Sequence, residues 1–362
     1  MDNALMPLVV TAIEDVTPEW LTAVLSAAGA LQHGAVTAFD VTGGRGNWSA
    51  NASLALTYSP DARGELPARL FLKMVNVDLD GESFGDSEVQ YYTRDYLDVA
   101  DAPLLRCYSG AFSPELKRYH LLLQDVGVTH IPASQKAPTR AHGLALAGGL
   151  AALHARWWGA AGLAEAGVPL HSPDHIRDFV AIAGPGVPYV LNRFTPQLQP
   201  HWPELVQDVF ARHPEAILRR NTDPDGFTLI HGDAGPGNLL VPREGDTPLY
   251  VIDRQPFNWS LTTWLGVYDL AYYLALDWDP AIRRACEVDI LRAYHAALEA
   301  RGVQGYSWQR CWDDYRLCVA MGVYIAVEYC RAGVNERHAD DVLSMLSRAL
   351  TACDDLDCAA LW

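Results

Sequence analysis

His231-Gly232-Asp233 opens a short polar stretch in which Asn238 follows Asp233 by five residues, and Asp253 closes the apolar run Tyr250-Val251-Ile252. A carboxylate, a carboxamide and a second carboxylate in this order suit phosphoryl transfer. One carboxylate must receive or orient an attacking hydroxyl. The carboxamide and the other carboxylate must offer oxygens to Mg²⁺, which neutralises β- and γ-phosphate charge. A loop followed by a hairpin, Asn238–Val241 and Leu249–Ile252 around the turn Pro242–Pro248, would bring all three groups to one edge. Singly, H-G-D is a turn with a capping aspartate and Asp253 a strand end. Together, in this context, they read as a site.

Two further features bear on the same chemistry. Gly44-Arg45-Gly46-Asn47-Trp48-Ser49 leads into Ser53–Tyr58, which reads as strand. A dinucleotide-binding fingerprint would lead into a helix. The alternatives are therefore an ordinary hairpin turn and a glycine loop, with Gly44 and Gly46, that covers nucleotide phosphates. Lys73 lies within Arg69-Leu70-Phe71-Leu72-Lys73-Met74-Val75. Burying an ammonium there requires an anionic partner, whereas at a sheet edge its stem could carry the charge to water. A lysine facing nucleotide phosphates from such a strand would pair with an acid on the next helix, Glu88 first and Asp95 as the alternative. Glu88 has a simpler role open to it as well, a first-turn acid that complements the helix dipole.

The stretch His231–Asn238 resembles the Brenner motif of the aminoglycoside and choline phosphotransferases, small-molecule kinases of the protein-kinase-like fold. The resemblance covers most of the chain. Thr17–Leu31, Leu121–Val126, Leu150–Trp158 and Gly266–Leu276 are most similar to the ecdysteroid-kinase-like subgroup. It implies that Asp233 is the catalytic base, that Asn238 and Asp253 are metal ligands, and that Asp269 braces the loop carrying Asp233. It also implies ATP and Mg²⁺ as cofactors, with the backbone around Leu123, Gln124 and Asp125 hydrogen-bonding adenine. Two departures stand out. Arg254-Gln255 follow Asp253 where the family more often has an aromatic residue, and Gly237 stands where the subgroup often has a second acid. Neither removes a metal ligand.

Those residues need elements to position them. Thr17-Pro18-Glu19 opens a helix with a capping hydroxyl and a first-turn proline, and Trp20, Leu21, Val24 and Leu25 give it an apolar face. Ala35–Val41, Ser53–Tyr58, Arg69–Val75 and Tyr119–Gln124 read as strands, and Glu88–Tyr96 as a helix. From Ala141 onward the period is helical: one helix ending at Arg156-Trp157-Trp158, then others near Pro203–Arg212, Gly266–Leu276, Pro280–Ala300, Trp308–Cys330 and Asp341–Cys353. The expected fold class is α+β and, with the resemblance, a bilobal protein-kinase-like fold. A strand-rich nucleotide-binding lobe would span residues 1–125, and a mainly helical lobe with the catalytic loop and acceptor site would span residues 126–362.

Composition limits the partners. The chain of 362 residues carries a formal net charge of −17, which opposes a broad grip on nucleic acid or anionic lipid. Half of it is hydrophobic and 20% charged, the balance of an ordinary globular protein. Seven cysteines without a CxxC pair indicate neither a disulfide framework nor a zinc ribbon, and a cytoplasmic location is expected. The opening MDNALMPLVV lacks a basic region and a cleavage site. The longest uncharged apolar run, Gly143–Leu153, falls short of the roughly 20 residues of a membrane span. There is no GxxxxGK, which excludes a P-loop, and no GxSxG elbow to support a hydrolase. His171 and His175 sit in a Pro-containing loop with no third ligand, which argues against zinc.

The expected activity is therefore transfer of the γ-phosphate of ATP to a hydroxyl of a small molecule such as an aminoglycoside, amino alcohol, sugar or sterol. A protein kinase is the first alternative. HGD in place of HRD and the lack of an APE-type segment after Asp253 count against it. A pseudokinase-like nucleotide-binding module is the second, disfavoured because Lys73, Asp233, Asn238 and Asp253 are all present. Asp277, Asp279, Asp313, Asp314, Asp340 and Asp341 accompany Trp259, Trp264, Trp278, Trp308 and Trp312 in the C-terminal third. Two readings of them stand side by side: a pocket for a cationic acceptor, or solvated acids over an aromatic core.

Overall fold

The computed structural model describes residues 9–45, 49–75, 85–255, 260–333 and 338–362. Two compact units emerge: Met1–Ala100 with Leu104–His130 and Ile252–Asn258, and Asp101–Pro103 with Ile131–Val251 and Trp259–Trp362. The first unit thus runs on to His130 rather than ending at 125. It also takes back the chain after Val251, because Asp253 and Arg254 bond to Lys73 and Asp95.

In the first unit, α1 (Pro18–Ala27) starts where Thr17 accepts the Trp20 N–H at 3.1 Å, and it buries Leu21 and Leu25. A short pair joins β1 (Leu31–His33) to β4 (Arg63–Gly64). The main antiparallel sheet has the order β2-β3-β5-β7-β6. Its strands are β2 (Val36–Arg45), β3 (Ala50–Tyr58), β5 (Arg69–Val75), β6 (Cys107–Ser113) and β7 (Arg118–Gln124). Strand β5 is central, so Lys73 is not at an edge. Successive side chains alternate faces: Leu70, Leu72 and Met74 enter a core with Leu21, Leu25, Leu54 and Leu122, and Lys73 takes the opposite face. Strand β2 continues through Gly43, Gly44 and Arg45, paired to Ala52, Asn51 and Ala50. Gly44 therefore lies in strand rather than in the expected loop, and Gly46 lies outside the described residues. Helix α2 (Ser87–Gln90) passes into one wider, π-type turn, Tyr91–Asp95, where a regular helix was expected.

The second unit is mainly helical. It contains α3 (Arg140–Arg156), α4 (Gly159–Ala166), α5 (Pro173–Ala183), α6 (Val187–Phe194), α7 (Trp202–Arg220), α8 (Tyr268–Asp277), α9 (Pro280–Ala300), α10 (Trp308–Glu328) and α11 (Ala339–Asp355). Helix α10 is buried along most of its length and packs on α7, α8 and α11, as a helix apolar on most sides must. Helix α3 packs on α9 across Gly143, where a Cβ would come 2.2 Å from Ile290 Cδ1. Two small sheets interrupt the helices. One pairs β9 (Phe227–Leu229) with β12 (Thr263–Leu265), and the other has the order β11-β10-β8, from β8 (His130–Pro132), β10 (Leu239–Pro242) and β11 (Tyr250–Val251). The sequence pattern identified the β10–β11 hairpin but not β9 or β12. Helix α7 runs through Pro214 well past its expected end. Among the described residues no helix is long and apolar enough to cross a membrane.

Candidate active site

In the first unit, Lys73 Nζ sits 2.8 Å from both carboxylate oxygens of Glu88 and also donates to Asp253 Oδ1. The alternation of β5 aims Lys73 away from the core, and α2 brings Glu88 in its first turn. Tyr119, opposite Val75 on β7 and on the same face as Lys73, donates its hydroxyl to Glu88 Oε2. Glu88 is 2% exposed and Lys73 12%, so the pair is desolvated. Burial would lower the Lys73 ammonium, but Glu88 and Asp253 together hold it above its usual value. Burial pushes Glu88 upward, against the pull of Lys73. Asp253, by contrast, is 47% exposed. It lies two residues beyond Val251, the last of β11, with a left-handed backbone at φ 59°. Asp95, the alternative partner for Lys73, is instead engaged by Arg94 at 2.7 Å and by Arg254 at 3.4 Å.

Leu123 and Gln124 are the last two residues of β7, opposite Phe71 and Leu70 on β5. The Gln124 N–H is already donated to the Arg106 carbonyl at 2.8 Å. Asp125 accepts from the Ser53 hydroxyl, from Arg69 Nε at 3.4 Å and from the Gly127 N–H at 2.8 Å. Its side chain thus closes the turn that follows the strand.

In the second unit, β9 and β12 hold the start of the Asp233 loop, and the Ile230 N–H reaches the Thr262 carbonyl at 3.0 Å. Asp269 on α8 is fully buried and accepts two consecutive backbone N–H groups, His231 at 2.7 Å and Gly232 at 2.9 Å. Gly232 makes this possible by taking φ 83°, a conformation open to glycine at no steric cost. Behind Asp269, His154 Nε2 lies 3.1 Å from Oδ2, and its Nδ1 lies 2.8 Å from the Tyr294 hydroxyl. Burial would raise Asp269, but His154, His231 and the Gly232 N–H hold it below the usual carboxylate range. Asp269 is thus the brace expected of it.

The carboxylate of Asp233 is aimed by two donors. The Tyr272 hydroxyl reaches Oδ1 at 2.8 Å and Asn238 Nδ2 reaches Oδ2 at 2.9 Å, with a further bond from Nδ2 to the Asp233 carbonyl at 2.8 Å. Burial first, and the charge of Asp233 second, push the Tyr272 hydroxyl far above its usual value, so it remains a donor. Because Asn238 spends its amide nitrogen on Asp233, its Oδ1 is the atom left to ligate a cation. Amide and carboxylate oxygens, the donors that Asn238 and Asp253 each carry in their own unit, are of the type Mg²⁺ takes beside phosphate oxygens. Sequence reasoning missed His154, Tyr272, Tyr119 and Tyr294. For Tyr272 a signal existed: it stands three residues after Asp269, on the same helix face.

The acids of the C-terminal third separate by environment. Asp314 is buried against Arg220 at 2.6 Å, Asp279 caps α9 through the Ala281 N–H, and Asp313 pairs with Arg316. Trp264 and Trp278 are fully buried. Asp279 and Asp313 are thus surface acids and the two tryptophans core, whereas Asp314, expected as a solvated acid on that reading, is buried in an ion pair. Asp277 differs. Burial pushes its carboxyl up to about 7, with Arg348 pulling it down and Asp233 adding to the rise. Tyr329, whose hydroxyl also feels Asp233 and Asp277, is 54% exposed. His171 and His175 stack with ring centroids 4.1 Å apart; His171 accepts from the Thr262 and Thr263 N–H groups, and His175 bonds the Ser260 carbonyl. Those contacts make them a structural pair.

This fold is the protein-kinase-like α+β fold of small-molecule kinases. The chain is similar to choline kinase from Cryptosporidium parvum Iowa II at 12% identity over 89% of this chain and 91% of that one, with a TM-score of 0.54. It is similar to a Plasmodium vivax ethanolamine kinase at 10% identity over 86% and 82%, TM-score 0.51, and to a glucosamine kinase at 15% identity over 93% and 83%, TM-score 0.53. No protein-family model and no curated protein matches the chain. The likeness is one of fold, and the ecdysteroid-kinase-like resemblance rests on the sequence motifs alone.

Proposed function

We propose that the protein is a small-molecule kinase that transfers the γ-phosphate of ATP to a hydroxyl group. The observation that carries this reading is the carboxylate of Asp233, presented by a loop whose backbone N–H groups are pinned on Asp269. Asp233 orients the acceptor hydroxyl and takes its proton as the oxygen bonds to phosphorus. The Tyr272 and Asn238 donors aim this carboxylate, and the proton leaves late in the loose transition state of phosphoryl transfer. Lys73, held by Glu88, binds the α- and β-phosphates, and the backbone at Gly44, near the end of β2, covers them. The backbone at the end of β7, around Leu123, Gln124 and Asp125, receives adenine. Asn238 and Asp253 hold Mg²⁺, which supplies charge neutralisation at the β- and γ-phosphates when bound. Seven free cysteines support the cytoplasm as its compartment.

For the acceptor we favour a cationic small molecule. Asp277 closes the helix that carries Tyr272 and feels the charge of Asp233, and Tyr329 exposes an aromatic ring within reach of the same field. An ammonium group there would favour the ionised Asp277 carboxyl that burial opposes, and the Tyr329 ring would add cation–π contact. The test is an ADP-release screen with Mg²⁺ and ATP over amino alcohols, amino sugars, neutral sugars and sterols. A preferred amine whose KM rises with ionic strength supports both parts, because salt screens exposed charges. A neutral best acceptor indifferent to salt removes the cationic part alone. No acceptor-dependent ADP release, with Asp233→Asn indistinguishable from the parent, removes the kinase reading.

A further inference from the structure

The residue after Asp253 is an arginine, and it is buried. Arg254 is 4% exposed, a position that demands compensation for its charge. Its Nη1 lies 3.4 Å from Asp95 Oδ2, and its guanidinium carbon lies 5.5 Å from the centroid of the Tyr91 ring. The next residue, Gln255, accepts the Ser87 hydroxyl on its carbonyl at 3.3 Å. Ser87, Glu88, Tyr91 and Asp95 all belong to α2 and the π-type turn that extends it. One short helical segment therefore holds Lys73 through Glu88 and the Asp253 strand-end through Asp95, Tyr91 and Ser87. Asp253 in turn bonds Lys73, which closes the circuit.

We infer that Arg254 is a positioning residue: its ion pair with Asp95 latches the Asp253 segment to the Glu88 helix, so that Asp253 and the Lys73–Glu88 pair are set as one group. An aromatic side chain at 254 would supply contact area without direction. The guanidinium adds an ion pair that fixes the register of the segment on the helix. The latch is also separable from folding. Asp95 keeps Arg94 on its other oxygen, with Nε at 2.8 Å and Nη2 at 2.7 Å, so loss of Arg254 leaves Asp95 paired.

This inference rests on the reading of Asp253 as a metal ligand, and the test keeps the two apart. Calorimetry would measure binding of ATP with and without Mg²⁺ to the parent, Arg254→Met, Arg254→Lys, Asp95→Asn and the double variant Arg254→Met/Asp95→Asn, each checked by thermal melting. Methionine preserves length and packs on Tyr91. Removing a partner that orients a metal ligand typically costs about 10–100-fold in metal affinity. Arg254→Met is expected to weaken Mg–ATP binding by about tenfold or more, while metal-free ATP binding changes far less. The double variant should be no weaker than the single, and lysine should restore part of the loss. Parent-like Mg–ATP affinity in Arg254→Met overturns the latch, and so does an equal loss with and without Mg²⁺, the mark of a merely structural residue. If Arg254→Met fails to fold, the same readings on Arg254→Lys and Asp95→Asn decide. A parent for which Mg²⁺ makes no difference to ATP binding removes the metal-ligand reading instead.

Discussion

At Lys73 three ionised groups meet, two of them nearly without solvent, and each is there because of the others' charge. At Asp233 the carboxylate is held by a phenol and a carboxamide, and its loop by two backbone N–H groups on a carboxylate that never faces water. The first arrangement ties stability to charge balance, since removing one member leaves another buried and uncompensated. The second separates the two: neutral donors aim the Asp233 carboxylate, so the loop does not rest on its charge. A substitution that keeps shape should therefore act on rate in the second unit and on both rate and stability in the first.

The sharpest test of that contrast is Asp233→Asn. Loss of a general base typically costs about 10²–10⁴-fold, and kcat should fall by that order while the melting temperature stays close to the parent. A large loss of melting temperature would show that the loop depends on this charge after all. Next comes Glu88→Gln, which takes from the buried Lys73 its bidentate partner but leaves Asp253. Breaking a buried pair costs about 3–5 kcal/mol, and the remaining carboxylate places the expected loss near the lower end. Denaturant unfolding reads it directly, and unchanged stability would dissolve the contrast. The smallest effect is expected at Asp277. Its folded carboxyl titrates near about 7, above its unfolded value, so the folded state binds the proton more tightly. That contribution is present in full below the usual carboxylate range and is lost as pH rises through 7. Melting temperatures of Asp277→Asn should therefore gain on the parent between acid and neutral pH, with Arg348 and Asp233 as the charges that set the slope. Parallel pH profiles would mean that folding leaves the Asp277 carboxyl at its ordinary value.

Much of this was legible beforehand, and the legible part has a common property. Asp233, Asn238 and Asp253 stand out in the sequence because their types and spacing fall within one loop and hairpin, and Lys73 because a charge in an alternating apolar strand contradicts its surroundings. The supports could not be found that way. His154 meets Asp269 across 115 residues and Tyr119 meets Glu88 across 31, and a hydrogen bond between distant residues leaves no local pattern. Strands β9 and β12 are three residues each, too short for alternation to show. Arg254 was legible only as a departure. Its partner Asp95 lies 159 residues away in the sequence, beyond any local pattern.

The left-handed backbone at Asp253 places a double demand on that one position. Apart from glycine, aspartate and asparagine are the residues that enter this conformation most readily, because their short polar side chains bond locally. The turn and the proposed metal oxygen are thus satisfied by one small side chain. Glutamate, with the same charge, would be a poor replacement, and alanine would add backbone strain to the loss of a ligand. Asparagine suits the same backbone conformation and removes the charge, which makes it the informative substitution here.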